Sequence, residues 1–331
     1  MSKLRFGYIL SIASLLIAIW LGVSVGSVKV PISTLWDTSS DEVAANIVWQ
    51  IRMPRVLLAG LVGASLAIAG AAFQSLLKNP LADPYTLGVS SGASVGAVAT
   101  LFFGLSVPLL GGFTLPVFSM LGALCTMLLV MGFAKLVDRA MKMETIILTG
   151  IIFSSFLGSV ISLMIALTGE ELRQIIGWLL GSVSMRGWEY IKLALPFVIV
   201  GSLLLWFNRR ELNAMLFGEE RALHLGVDVK KRKLMVLIGG SMLTGGAVAV
   251  SGTIGFVGLV VPHMTRQLFG SDNRHVLPLS FLNGATLLII CDLVSRTIIS
   301  PAELPIGVIT AFIGAPVFAF IFFRQRKRGS I

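Results

Sequence analysis

RRELNAMLFGEERALHLGVDVKKRK, residues 209–233, is the one long polar block in an otherwise apolar chain. It holds seven basic residues (Arg209, Arg210, Arg221, Lys230, Lys231, Arg232 and Lys233) and four acidic ones (Glu211, Glu219, Glu220 and Asp228). So much basic charge at helix boundaries belongs on the cytoplasmic side of a bilayer. The block therefore sets the direction in which the apolar runs on either side cross. Inside it, helix formers run from Leu212 to Leu225 with apolar residues at helical spacing (Leu212, Met215, Leu216, Leu223), and Gly218, Ala222 and Gly226 recur every four residues. That spacing predicts one short amphipathic helix with a small-residue face, stopped at Gly226. Two readings fit: a solvated loop between two spans, or a docking surface for a cytosolic partner.

Composition supports the membrane on both sides of the block. Of 331 residues, 56% are hydrophobic and 13% charged, with a mean hydropathy of +0.92. There is too little polar surface to cover a soluble globule of that size. The net charge of +10 lies between apolar runs, where membrane orientation explains it and nucleic-acid binding does not. Cys125 and Cys291 stand inside apolar runs, without metal-ligand spacing or a disulfide framework.

Outward from the block, ten spans are predicted, over residues 6–28, 56–77, 87–105, 115–136, 145–167, 190–207, 234–250, 253–268, 276–296 and 304–323. The first is about 34 Å of helix, longer than a signal-peptide core, and is read as an uncleaved span. Pro54 marks the start of the second span, and the two-proline turn 78–84 lies inside. In the outer segment 169–189, Trp178 and Trp188 suit a membrane interface. The run from Leu234 to His263 has 30 residues without a charged group, too many for one straight span. Basic residues at both its ends require two crossings, with a turn near Ser251-Gly252 and a short second helix. The result is an all-α polytopic membrane protein, a single permease domain with a cytoplasmic insert at 209–233. With both termini inside, 19 of the 26 Lys and Arg fall on the cytoplasmic side.

GASLAIAGA (63–71) and GGAVAVSGT (245–253) echo each other five spans apart, so they cross in opposite directions. An inverted repeat and plain close helix packing both account for the echo. No Walker A loop, metalloprotease His-Glu pair or Gly-x-Ser-x-Gly is present, and the three histidines are scattered near cytoplasmic loops. Nearly all ionisable residues fall at predicted helix ends, whereas ion-coupled carriers place such groups near the midplane. Uphill transport would therefore draw its energy from elsewhere. Asp292 and Arg296, four apart with the acid first, fit a helical ion pair. Arg296 at the outer mouth with Arg52 and Arg55 reads either as a dock for acidic groups of an external partner or as an anchor in lipid headgroups.

These residues, taken together, resemble the FecCD-type permeases of ATP-binding-cassette importers for iron-siderophore, haem and vitamin B12. The matching motifs are Arg52-Met53-Pro54-Arg55, Gln74, Asn79 through Ala93 (NPLADPYTLGVSSGA), Gly218 through Gly226 (GEERALHLG) and Gly252 through Arg266 (GTIGFVGLVVPHMTR). Asp292 to Arg296, Glu303 to Gly307 and Gly314 to Phe318 complete the set in family order, across nearly the whole chain. The resemblance implies a dimer of ten-helix subunits with the pathway along the dimer axis. It implies that Gly218, Glu219, Arg221, Ala222, Leu223, Leu225 and Gly226 contact cytosolic ABC ATPase subunits. Arg52, Arg55 and Arg296 match arginines that meet glutamates of an extracytoplasmic substrate-binding protein. Asn79, Leu81, Met143 and Glu144 match the cytoplasmic gate, although vitamin B12 members carry small hydroxyl residues at the second of these loops. No cofactor of its own is expected, since ATP and Mg belong to the ATPase, and localisation in a bacterial inner membrane follows. A self-sufficient secondary transporter is the alternative; an intramembrane enzyme lacks its nucleophile, ligands and buried acid-base groups.

Overall fold

The computed structural model describes residues 3–26 and 42–328. Lys29 and the rest of 27–41, which the sequence places outside the membrane, lie beyond the described residues, as do the side chains of Arg324, Arg326, Lys327 and Arg328.

Helix α1 is Lys3–Ser24, and α2 is Glu42–Asn46. A π turn, Ile47–Arg52, joins α2 to α3, Met53–Leu76. The α2–α3 rod thus starts at Glu42, well before the predicted beginning of the second span at 56. Pro54 sits in the first turn of α3, where a missing N–H costs little, and the wide turn before it gives the ring room. A 3₁₀ turn, Pro84–Leu87, leads to α4, Val89–Phe102, and α5 and α6 follow as Thr114–Val137 and Met143–Leu167. The outer segment is more than a loop, because it contains α7, Leu172–Leu179. Then come α8 (Trp188–Phe207), α9 (Arg209–Leu216), α10 (Glu219–His224), α11 (Val229–Ser251), α12 (Val257–Phe269), α13 (Asn273–Thr297) and α14 (Ile306–Arg328).

Among the described residues, seven helices are long and apolar enough to cross a membrane, the α2–α3 rod being one of them. Helix α4 and the 306–320 part of α14 are shorter apolar helices. With 13 residues, α12 is about 20 Å long. The chain turns at Gly252, whose φ of +72° suits a residue without Cβ.

Helices α3 and α11, which carry the two echoing segments, are buried along most of their length, whereas α1, α5, α6 and α8 turn most of their surface outward. At the centre, α3 packs against α13, α11 and α12, and α4 packs against α5 and α6. A Cβ on Gly63 would run into the Gly284 carbonyl of α13, and one on Gly70 into the Gly258 carbonyl of α12. In α3 the small residues therefore serve close backbone approach, the usual means of helix association in lipid. Gly70→Val will force α3 and α12 apart at a cost of about 3 kcal/mol, the upper end of the usual range for overpacking. The expected result is loss of the monodisperse peak in detergent, with Ala69→Val at a buried neighbour as comparison.

Trp178, read from the sequence as an interface residue, is not on the protein surface. It is buried in the core, because α7 folds back onto the break between α11 and α12. Trp188 is half-buried, and its Nε1 donates to the Trp49 carbonyl at 2.9 Å.

Candidate functional site

At one end of the helix bundle the 209–233 block does not form one helix. It breaks at Phe217-Gly218, where Gly218 takes φ +119° and ψ 150°, a conformation closed to residues with a Cβ. Gly218 and Gly226 (φ +80°) cap the two ends of α10, while Ala222 between them is fully buried. The predicted small-residue face is thus replaced by an apolar one. Leu212 and Met215 anchor α9 inward, and Phe217, Leu223 and Leu225 stand 69%, 58% and 71% exposed beside exposed Arg221 and half-buried Glu219. Three large apolar side chains thus project together from a charged loop.

Polar bonds tie this element to the helix bundle. Arg232 of α11 reaches Glu211 at 3.3 Å and the Asn208 carbonyl-side amide oxygen at 3.2 Å. Asn213 of α9 donates to Asp272 at 2.6 Å and accepts from the Asn273 backbone N–H at 2.8 Å. Asn273 in turn accepts from Ser75 of α3 and Arg266 of α12, and Arg266 also donates to the Ala71 carbonyl at 2.8 Å. Sequence reading missed this network because its members lie up to 198 residues apart.

Of the residues matched to a gate, Asn79 and Leu81 are exposed on the turn before α4, where the Asn79 Oδ1 accepts from the Leu81 N–H at 2.9 Å. Met143 is half-buried and Glu144 exposed in the first turn of α6. The loop before them is set by Asp138, whose carboxylate accepts from the Ala140 and Lys142 amides, both at 2.9 Å. Those amides, Lys142 first, hold the Asp138 carboxyl below the usual carboxylate range.

At the opposite end, Arg52, Arg55 and Arg296 do not face outward as the sequence reading expects. Each is buried, at 4%, 7% and 5% exposure. Burial of a guanidinium requires partners, and the fold supplies them. Arg55 Nε lies 2.9 Å from Asp292 of α13, and its Nη1 lies 2.8 Å from Glu303. Arg296 stands 3.5 Å from Asp292 and donates to the Gly22 carbonyl, while Arg52 donates to the Val23 and Ser24 carbonyls at 3.0 Å. Two of the arginines thereby close the carbonyl end of α1, where a helix favours positive charge. Glu303, on the α13–α14 loop, is drawn upward by burial, but bonds from Arg55 and Ser184 outweigh this and hold it below the usual carboxylate range. The Asp292-Arg296 spacing was legible in sequence; the Arg55 partnership, across 237 residues, was not.

Between α11 and α12 the segment 252–256 interrupts the helices, and its inward backbone groups need partners from the protein. Tyr85 is one, accepting from the Ile254 N–H and donating to its carbonyl at 2.7 Å. Ser182 N–H donates to the Ser251 carbonyl at 2.7 Å. Phe256 adopts φ +69°, an outlier for a bulky residue, with its side chain seated on Gly314 of α14. A cavity of about 570 Å³ opens beside it, lined by Leu180, Thr253, Phe256, Val308, Phe312 and Pro316 among others.

The model of the FecCD transport family matches residues 14–324. The chain belongs to the FecCD transport family. This FecCD permease is 60% identical over 333 residues to the uncharacterized ABC transporter permease YvrB of Bacillus subtilis, covering 97% of this chain and 94% of that protein. It is 36% identical to the hemin transport system permease HmuU of Yersinia pestis, over 99% and 98% of the two chains. A solved structure described as an inward-facing metal-chelate type ABC transporter superposes with a TM-score of 0.83 at 33% identity, covering 97% of this chain and 98% of that one. The FecCD chain is therefore a multi-pass, all-helical membrane permease of the ABC importer class.

Proposed function

We propose that this permease carries a bulky chelate of the iron-siderophore, haem or cobalamin kind into a bacterial cell, across the inner membrane. ATP hydrolysed by separate ABC ATPase subunits supplies the energy, and an extracytoplasmic binding protein delivers the cargo. The observation that carries this reading is the exposed apolar face of α9–α10, which belongs to a partner and not to water. On this reading the chain crosses ten times, the seven long helices being joined by α4, α12 and α14, with both termini and α9–α10 in the cytoplasm. The distribution of Lys and Arg supports that orientation.

A second permease subunit completes the pathway, and the 570 Å³ cavity beside Phe256 is one protomer's share of it. Its lining is apolar with a few backbone groups, suited to shielding a large cargo without gripping it. ATP binding closes the ATPase pair, shifts α9–α10, and changes which side is open, with Asn79, Leu81, Met143 and Glu144 closing the cytoplasmic end. At the outer end the buried arginines meet the binding protein only by giving up an internal partner. Glu303, with a side chain 39% exposed, is the one that Arg55 can exchange for an incoming carboxylate.

Vesicles holding the permease with its ATPase and binding protein are expected to accumulate haemin, ferric siderophore or cobalamin when ATP is on the α9–α10 side. Vesicles with the permease alone are expected to accumulate none of them against a gradient. Accumulation by the permease alone would show a self-sufficient carrier.

A further inference from the structure

Lys233 is the buried charge that the transport reading leaves without a task. It lies on α11 at 4% exposure, the one charged side chain among the buried residues of that helix. Its ammonium meets two separate elements. Nζ is 2.7 Å from Glu219 Oε1 at the start of α10, and it donates to the Met141 carbonyl, at 3.1 Å, in the loop between α5 and α6. That loop leads directly into Met143 and Glu144.

We propose that Lys233 is the positioning residue through which displacement of α10 reaches the α5–α6 loop. A buried ammonium cannot release its carboxylate without leaving an uncompensated charge in a medium of low dielectric constant. When α10 moves, Lys233 therefore follows Glu219, and the second bond of the same ammonium transmits the change to Met141. The receiving loop moves as a unit, because Asp138 locks the amides of Ala140 and Lys142, and Met141 holds φ +52° between them. There is also room for it to move. A cavity of about 50 Å³, bordered by Lys233 itself, lies against Met131, Ala140, Met141, Leu234 and Leu237. A static brace would need neither the second contact on a separate loop nor the space beside it. The proposal rests on the reading of α9–α10 as the ATPase contact.

The test uses the assembled permease-ATPase complex in lipid nanodiscs, with hydrogen exchange read at the amides of residues 138–144 with and without vanadate-trapped ATP. In the unmodified complex, trapping is expected to change exchange in this loop at least tenfold. Lys233→Met is expected to co-purify with the ATPase and hydrolyse ATP, yet show less than a twofold change in the loop, while Lys233→Arg, which keeps charge and reach, recovers the response. A full loop response in Lys233→Met, or none in the unmodified complex, overturns the proposal. Should Lys233→Met fail to assemble, Glu219→Gln cuts the same link from its 43% exposed side and is judged by loop exchange alone, a retained response again overturning it. Failure of the underlying reading looks different: aspartate at Leu223 and Leu225 would then leave ATPase binding intact.

Discussion

Leu223→Asp combined with Leu225→Asp will abolish capture of the ATPase while leaving the permease folded and inserted. Both side chains are more than half exposed, so charging them removes no internal packing. The same charges placed at the centre of an interface must be desolvated without a counter-ion. Buried anchor residues of this kind commonly contribute 2 kcal/mol or more each, about thirtyfold in affinity apiece. Two together are expected to lower affinity several hundredfold, read by co-purification and by loss of permease-stimulated ATP hydrolysis. Gly218→Trp reaches the same end by another route. A side chain at φ +119° and ψ 150° costs about 1–3 kcal/mol of backbone strain, which the six-residue α10 relieves by unwinding. Normal stimulation in both variants would remove α9–α10 from the contact surface. Ala222 serves poorly as a probe, because it is fully buried and a large residue there would disturb packing before docking.

Asp292→Leu will be the most destabilising single change in the cluster of Arg52, Arg55 and Arg296. The carboxylate is fully buried and faces two guanidiniums, Arg55 at 2.9 Å and Arg296 at 3.5 Å. Removing it leaves two buried positive charges with Glu303 as their remaining acid, at an expected cost of about 3–5 kcal/mol. Heating in detergent with fluorescence detection will show this as a large fall in the unfolding midpoint. Arg55→Met added to Asp292→Leu is expected to restore part of the loss, because a buried pair replaced as a whole by apolar groups avoids the unpaired charge. The coupling between the two substitutions should exceed about 1 kcal/mol. Additive effects would show that Asp292 is not the counter-ion of Arg55.

The position of charge along the chain made the membrane class, the polar insert and the break near Gly252 legible, because the bilayer imposes one-dimensional rules of length and sign. Motif order did the same for the family. Contacts between distant helices obey no such rule. The sequence showed Arg52, Arg55 and Arg296 as charges near a helix end and could not show that Asp292, Glu303 and the carbonyls of α1 enclose them. It showed small residues at four-residue spacing and read a face, where the backbone at Gly218 and Gly226 places two caps.

Sequence alone determined that the chain lives in lipid and the class to which it belongs, since transfer free energy and motif order are properties of residues taken in order. Tertiary structure alone decided which charges are buried, that α7 folds back into the core, and that Lys233 joins α10 to the α5–α6 loop. Those outcomes depend on which side chains meet across space, and the cost of an unpaired charge in a low-dielectric interior enforces them.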